Sequence, residues 1–184
     1  MQYLLPSLRL WLVTFLVCVV GYTALVLGFA QAIAPFQANG SIISANGRPV
    51  GSQLIAQDFT SPRYFWPRPS AVDYNGMGAG GSNKSSTSPE LTERAKEIVA
   101  RYGATAGNPI PADLVAASGG GLDPHISLAG TLYQADRVAA ARGMAASEVK
   151  RLIEAKAVSA AGPFAPERIV NVLELNLALD QLAQ

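Results

Sequence analysis

Residues 10–34 form a run of twenty-five positions without a formal charge. The hydrocarbon core of a bilayer is about 30 Å thick, and roughly 20 apolar residues of helix cross it. Leucine, valine, isoleucine, phenylalanine and tryptophan dominate the run, which therefore predicts one transmembrane helix. Residues 35–184 would then form a domain tethered on one side of the membrane.

The distribution of basic residues predicts the orientation of this helix. Arg9 lies just before the apolar run, and no charged residue follows until Arg48. Basic residues are retained preferentially on the cytoplasmic side of a span. We therefore expect residues 1–9 in the cytoplasm and residues 35–184 outside it.

A cleaved signal peptide is the alternative interpretation of the same run. Ala30-Gln31-Ala32 has the small-x-small pattern of a signal peptidase site, and cleavage there would leave Ile33 as the first mature residue. The apolar region of a signal peptide usually spans only about 7–15 residues, which favours an uncleaved anchor. Both interpretations export the domain.

Charge and composition exclude several functions for the exported part. Arg9 apart, basic and acidic residues are equal in number, and this balance lacks the basic patch that nucleic-acid binding requires. The one cysteine, Cys18, lies inside the apolar run, so the exported part has no disulfide. With one histidine and no cysteine outside the run, too few ligands remain for a zinc site. We expect one domain with one packed core.

The exported part has a loop-rich first half and a helical second half, which predicts an α+β domain without internal repeats. Asn46-Gly47 is a strong signal for a two-residue hairpin turn. We therefore expect short strands on either side of it, over residues 40–43 and 50–55.

Two helices are predicted by a capping residue followed by proline, a pair typical of helix starts. Ser88-Pro89 opens a helix that ends at Gly103, and Asp123-Pro124 opens one that runs to Arg142. The remaining predicted elements are a helix over 147–158 and a strand, a helix or both over 168–181.

The densest polar segment is 118–127, which contains three glycines and an Asp, a His and two Ser residues. If its glycines lead into a helix N-terminus, free N–H groups there suit a phosphate or another anion. A purely structural interpretation of the segment is also open, in which Asp123 caps the helix and His125 lies in its first turn. Triad residues normally converge from separate elements, so adjacent Ser, His and Asp residues argue against a serine hydrolase.

Tyr64-Phe65-Trp66 is followed by Pro67, Arg68 and Pro69. The prolines exclude a helix or a central strand in this segment. Three adjacent aromatic rings offer large rigid surfaces of the kind enriched at interface hot spots. Core packing and contact with a partner protein both remain open for it.

Several motifs occur in a fixed order along nearly the whole chain, and together they are more specific than any one of them. The motifs are Gly51-Ser52-x-Leu54-Ile55-x-Gln57-x-Phe59, Tyr64-Phe65-x-x-Arg68-Pro69-Ser70, Gly81-Ser82-Asn83, Pro111-x-Asp113-Leu114-Val115-x-x-Ser118-Gly119-x-Gly121-Leu122-Asp123-Pro124-His125-Ile126-Ser127, Gln134-x-x-Arg137-Val138-Ala139 and Val170-Asn171-Val172-Leu173-x-Leu175-Asn176. As an ordered set they resemble the C subunit of the Kdp-type potassium-transporting ATPase of bacteria.

The resemblance implies a non-catalytic accessory subunit of an ATP-driven potassium uptake complex in the bacterial inner membrane. Its domain would lie in the periplasm, and its partners would be a channel-like potassium-translocating subunit, a P-type ATPase subunit and membrane lipid. Potassium would be the ion transported by the complex. The resemblance also implies a chaperone that raises the ATP affinity of the pump subunit, with ATP bound transiently and no cofactor bound tightly.

Three groups of candidate residues follow from these patterns. The span has a strip of small residues that suits helix packing in a membrane. We predict no catalytic residue and no metal ligand, and the rival functions are a membrane-anchored exported hydrolase and a stand-alone binding module. The candidates are Gly21, Ala24 and Gly28 for membrane packing, Ser118, Gly119, Gly120 and Gly121 for a nucleotide or anion, and Tyr64, Phe65, Arg68, Pro69, Ser70, Asp123, His125 and Ser127 for partner contact.

Overall fold

A single apolar helix, α1 (Leu4–Ile33), forms most of the first of two structural units. The units comprise residues 1–42 and 43–184, and this computed structural model describes residues 3–160 and 167–182. The 30-residue helix is long and apolar enough to cross a membrane, and none of its most apolar stretch is buried within the protein. The apolar run predicted as a span, residues 10–34, thus lies almost entirely within one helix.

The helix starts earlier than the apolar run because its first turn accommodates Pro6, whose missing N–H would have no helical acceptor there. It contains a π-helical stretch, Leu16–Gly21, and ends before Pro35, which disfavours helical geometry at Ala34. A short helix, α2 (Pro35–Ala38), follows.

A two-stranded sheet follows, formed by β1 (Ile42–Ala45) and β2 (Arg48–Ser52). Asn46 and Gly47 both have positive φ, 51° and 75°, which is the geometry of a type I′ turn. The predicted hairpin is confirmed. The predicted strands were misplaced, because a two-residue turn of this type requires the strands to begin immediately beside it.

The first predicted helix is confirmed as α3 (Pro89–Tyr102). Ser88 precedes it in an extended conformation, Pro89 is its first residue, and Gly103 ends it. A short 3-10 helix, Ala112–Leu114, lies between α3 and the polar segment.

The predicted start of the second helix at Asp123-Pro124 is wrong. The chain instead forms a strand, β3 (His125–Ser127), and the helix α4 (Leu128–Arg142) begins after it. Ser127 is the N-cap, and its side-chain oxygen accepts a hydrogen bond from the Gly130 N–H at 2.9 Å. Pairing of β3 with a distant strand overrides the local helix signal.

That partner strand lies near the C-terminal end of the domain. β4 (Val158–Ser159) and β5 (Arg168–Asn171) join β3 in an antiparallel sheet with the order β3-β5-β4, in which Ile126 is opposite Val170. Two further helices are α5 (Ala146–Lys156) and α6 (Val172–Leu182). The last predicted segment is thus both strand and helix, and the α+β class is confirmed.

The core lies where α4, α5 and α6 pack together and against β3 and β5. Each of these strands contributes one large apolar residue, Ile126 or Val170, and the helices contribute apolar residues at helical spacing. The buried core residues include Phe65, Leu114, Ile126, Val138, Val149, Ile153, Val170, Leu175 and Leu179.

Two buried amide side chains attach the aromatic-proline segment to this core. Asn176 accepts from the Phe65 N–H at 2.9 Å and donates to the Phe65 carbonyl at 3.1 Å. Gln134 makes the same reciprocal pair with the main chain of Trp66, at 2.9 and 3.0 Å. These side chains replace the strand partner that the prolines exclude.

Gln134→Leu tests the importance of this attachment. The substitution leaves the N–H and the carbonyl of Trp66 buried without their partner, which we expect to lower the free energy of unfolding by about 2–4 kcal/mol. Denaturant unfolding of the full chain in detergent, followed by near-ultraviolet circular dichroism, measures the loss. Asp136→Asn, an exposed change in the same helix, should leave the midpoint nearly unchanged, and equal effects of both variants would contradict the prediction.

Candidate functional site

The aromatic residues of the 64–70 segment are mostly part of the core. Phe65 is fully buried and Trp66 is 8% exposed. Phe65 therefore has no surface that a partner could contact, and Tyr64, Arg68, Pro69 and Ser70 remain the predicted contact residues of this segment. Tyr64 is half-buried, and its hydroxyl donates to the carboxylate of Asp180 at 3.0 Å. Arg142 pairs with the other oxygen of Asp180 at 2.8 Å.

Trp66 lies between two guanidinium groups. Arg137 is 3.7 Å and Arg101 is 3.9 Å from the centroid of its ring system. Arg137 also donates to the carbonyls of Pro62 and Tyr64, and burial lowers its pKa to about 10, so it remains charged at neutral pH. Arg137 belongs to the motifs that carry the family resemblance, but the contacts of Arg101 and Arg137 with Trp66 were not predicted, because cation–π contacts between distant segments leave no local pattern.

Arg68, Asp123 and His125 form a second charged group, which we call the Asp123 cluster. Arg68 Nη1 is 3.3 Å from one carboxylate oxygen of Asp123. The other oxygen accepts from the His125 N–H at 3.0 Å and lies 3.4 Å from His125 Nδ1. The structure thus brings together three residues that were predicted to contact a partner.

The cluster borders a pocket of about 190 Å³, which Asp113 and Glu167 also line. The side-chain hydrogen bond from His125 is the largest cause that holds the pKa of Asp123 below its ordinary value, and burial opposes it. The Asp113 carboxylate accepts from the Ser127 N–H at 2.7 Å. Arg68, Asp113, Asp123 and Glu167 are charged and at least partly exposed, which suits contact with another polar surface.

The glycine loop, Ser118–Gly121, does not lead into a helix, so the helix N-terminus that was expected to face a phosphate there is absent. The loop leads into β3, and its own backbone is engaged by a neighbouring loop. The Gly120 carbonyl accepts from the Gly80 N–H at 2.9 Å, and the Gly121 carbonyl accepts from Ser70 Oγ at 2.7 Å. Assignment of Ser118, Gly119, Gly120 and Gly121 to nucleotide or anion binding therefore stays an untested prediction without its structural basis.

Three further predicted residues have structural contacts that sequence reasoning did not foresee. Ser127 is buried as the cap of α4, and Asp123, predicted as that cap, instead accepts from the His125 N–H. The Pro69 carbonyl accepts from the Ser118 N–H at 3.1 Å, and Ser70 Oγ also accepts from the Tyr74 N–H. Contact of Pro69, Ser70 and Ser127 with a partner stays a prediction.

The ring of His125 faces the carboxylate of Asp123. Among the described residues, no group of three potential metal ligands occurs. The paired charges and hydrogen bonds around Asp123 suit binding to a polar surface.

In α1, Gly21, Ala24 and Gly28 are spaced three and four residues apart and all are exposed. A Cβ atom added at Gly28 would meet nothing within 4 Å, and one at Gly21 would meet only its own helix. The strip therefore remains available for packing against another helix.

One potentially membrane-spanning helix joined to one small α+β domain defines the class of this protein. A sequence model described as "KdpC: K+-transporting ATPase, c chain" matches residues 4–181. The chain belongs to the KdpC family.

Curated relatives match over their full lengths. The "Potassium-transporting ATPase KdpC subunit" of Parvibaculum lavamentivorans is 58% identical over 99% of this chain and 98% of its own. Proteins with the same description from Serratia proteamaculans and Geobacter sulfurreducens are 46% and 47% identical, over 99% of this chain and 100% and 99% of theirs.

Gly121→Ala and Gly120→Ala form a matched pair that tests the structural role of the glycine loop. Gly121 has φ +69°, and a Cβ there would lie 2.6 Å from Val72 Cγ2. We expect Gly121→Ala to lower the free energy of unfolding by about 2 kcal/mol or more, from strain and overpacking. Gly120→Ala, with open space around it, should be nearly silent. Equal stability of the two variants in denaturant unfolding would contradict this account.

Asp123→Asn tests the electrostatic role of the Asp123 cluster. Because the pKa of Asp123 is lowered in the folded protein, its charge stabilises the fold above its ordinary pKa of 3.8, and this contribution is lost as the pH falls through the lower folded value. The variant should therefore be less stable than the wild type at pH 7, with a difference that vanishes in strong acid. Thermal unfolding across pH measures it.

The exposed Glu97→Gln is the control for loss of one negative charge in that pH series. A stability difference for Asp123→Asn that persists undiminished at the acid end would show that the asparagine acts through packing and not through charge.

Proposed function

We propose that the chain is an accessory subunit of an ATP-driven potassium uptake complex. Its membership of the KdpC family carries this proposal, because relatives that match it end to end are named as subunits of a potassium-transporting ATPase. The chain itself catalyses no step in this proposal. Its contribution is to stabilise the assembly of a channel-like potassium-translocating subunit with a P-type ATPase subunit.

In this proposal α1 spans the bacterial inner membrane once. Arg9 precedes the apolar run and favours a cytoplasmic N-terminus, which puts the α+β domain in the periplasm. The small-residue strip of α1 packs against helices of the membrane subunits. Because the hydrophobic effect does not drive helices together in lipid, van der Waals contact between closely approaching backbones stabilises such pairs. The rest of the α1 surface contacts lipid.

The domain contributes polar contacts to its partners. Arg68, Asp123 and His125 are paired with one another yet partly exposed, so a partner meets preorganised charges and not flexible side chains. Preorganisation lowers the entropic cost of association. The Asp123 cluster is accordingly the polar contact that we assign to the complex, with Tyr64 and Ser70 nearby on the same segment.

Raising the ATP affinity of the pump subunit is a finer role that we also propose, through contact between subunits and without a nucleotide site on this chain. The glycine loop precedes a strand, and its carbonyls face neighbouring main-chain and hydroxyl donors. The loop thus lacks the helix N-terminus that favours binding of a phosphate.

Potassium is the ion that the complex transports in this proposal.

Recovery of the tagged full-length chain from native membranes in mild detergent tests the proposal. We expect a P-type ATPase and a large channel-like protein to co-elute in a fixed ratio, identified by mass spectrometry. Elution of a folded chain without either protein would contradict the accessory-subunit role and would favour a stand-alone binding module.

Gly28→Leu tests whether α1 packs against partner helices. The added side chain meets no atom of this chain within 4 Å at its Cβ position, so the helix itself is unaffected. A leucine there would hold the partner backbone away, and we expect at least a fivefold loss of co-eluting subunits. Quantitative mass spectrometry of the eluates measures the ratio.

Val26→Leu is the matched control, because at 100° per residue Val26 faces away from the small-residue strip. It adds volume to the same helix and should leave partner recovery unchanged. Equal recovery with Gly28→Leu and Val26→Leu would show that the strip does not pack against a partner.

A further inference from the structure

A pocket beside Trp66 combines aromatic walls with a charged rim. Its volume is about 230 Å³, and its walls include Phe59, Trp66, Tyr74 and Tyr102. We call it the Trp66 pocket. It lies entirely within the α+β domain, and the proposed function of the chain does not use it.

The carboxylates of Asp58 and Asp73 lie on the rim of this pocket, and both residues are exposed. In the described part of the chain, neither carboxylate has an ion pair or a hydrogen bond, although six other acidic side chains there are paired. Carboxylates without an ion pair and aromatic rings that line the same pocket suit recognition of an organic cation.

The pocket already holds one cation of its own chain. Arg101 lies on the rim with its guanidinium 3.9 Å from the centroid of Trp66 and no carboxylate partner among the described residues. The Arg101 guanidinium thus lies against the Trp66 ring without an ion pair among the described residues. A second cation entering the pocket would find Asp58 and Asp73 free but would be repelled by Arg101.

The loop that carries Asp73 and Tyr74 is held in an unusual conformation. Both residues have positive φ, 50° and 55°, which is uncommon for residues other than glycine. Ser70 Oγ accepts from the Tyr74 N–H, and the Tyr74 hydroxyl donates to the Arg68 carbonyl at 2.9 Å. Burial, followed by the charge of Asp58, raises the pKa of Tyr74 to about 12, so this wall stays neutral. The pocket is thus preformed.

We infer that the Trp66 pocket binds a basic side chain, an arginine or a lysine, of a partner protein. Its cationic group would pair with Asp58 and Asp73 while its aliphatic stem lies along Phe59 and Tyr74. The inference rests on the proposed function only for the source of that side chain. The chemistry of the pocket can be tested without any partner.

The probe is N-acetyl-arginine amide, titrated into the full-length chain in detergent. The sequence has two tryptophans, so Trp11→Phe leaves Trp66 as the fluorophore that reports occupancy of the pocket. We expect a saturable change with half-saturation in the millimolar range. N-acetyl-citrulline amide, which is neutral and has nearly the same shape, should give at least a tenfold weaker response.

Substitutions that remove a charge from the pocket should change the affinity for the arginine probe in opposite directions. Asp58→Asn and Asp73→Asn should each weaken binding of the arginine probe at least threefold, whereas Arg101→Gln should strengthen it by a similar factor. Asparagine tolerates the positive φ at position 73, and near-ultraviolet circular dichroism verifies the fold of each variant. Lack of saturable binding, an equal response to citrulline, or the opposite sign in the variants would overturn the inference.

A second experiment identifies the source of the basic side chain. The Asp58→Asn, Asp73→Asn double variant should reduce recovery of co-eluting subunits from native membranes at least threefold. Unchanged recovery, in the presence of a weakened probe site, would overturn assignment of the pocket to a partner. If the wild-type chain recovers no subunits while the probe binds, the proposed function fails and the cation chemistry of the pocket stands.

Discussion

Asn176 and Gln134 make reciprocal hydrogen bonds to the main chain of Phe65 and Trp66, and these bonds fix the irregular segment 64–70. The cation–π contacts of Trp66 and the Asp123 cluster both depend on the position of this segment. The prolines of that segment exclude a strand partner, so side-chain amides on two helices satisfy its buried polar groups. With the segment fixed, Trp66 is held against Arg101 and Arg137, and its C-terminal continuation places Arg68 beside Asp123. Loss of either amide side chain would therefore disturb the core, the Asp123 cluster and the Trp66 pocket together.

Local signals predicted the elements that depend on local chemistry. The apolar run gave α1, the Ser88-Pro89 pair gave α3, and Asn46-Gly47 gave the hairpin, because each is decided by solvation, capping or turn geometry over a few residues. Asp123-Pro124 failed as a helix start because β3 pairs with β5, about forty-five residues away. A pairing at that distance leaves no trace in the local pattern.

The candidate site residues also divide into those that a local pattern predicted and those whose contacts form only on folding. Arg68, Asp123 and His125 were singled out as a polar pattern, and the fold brings them together. The glycines of the 118–121 loop suggested an anion site, yet Gly121 is needed because its backbone approaches Gly80 and Val72 closely. The relation of Arg101 and Asp58 to Trp66 was not predicted, because it exists only after folding. Charged side chains on a helix are usually solvated, so sequence alone does not distinguish Arg101 from its neighbours.

We propose that this chain stabilises a membrane complex, and native mass spectrometry of that complex, produced with and without the chain, is the decisive experiment. We expect the channel-like and P-type ATPase subunits to remain together in detergent when the chain is present and to separate when it is absent. Recovery of the same two-subunit assembly in equal amounts without the chain would contradict it.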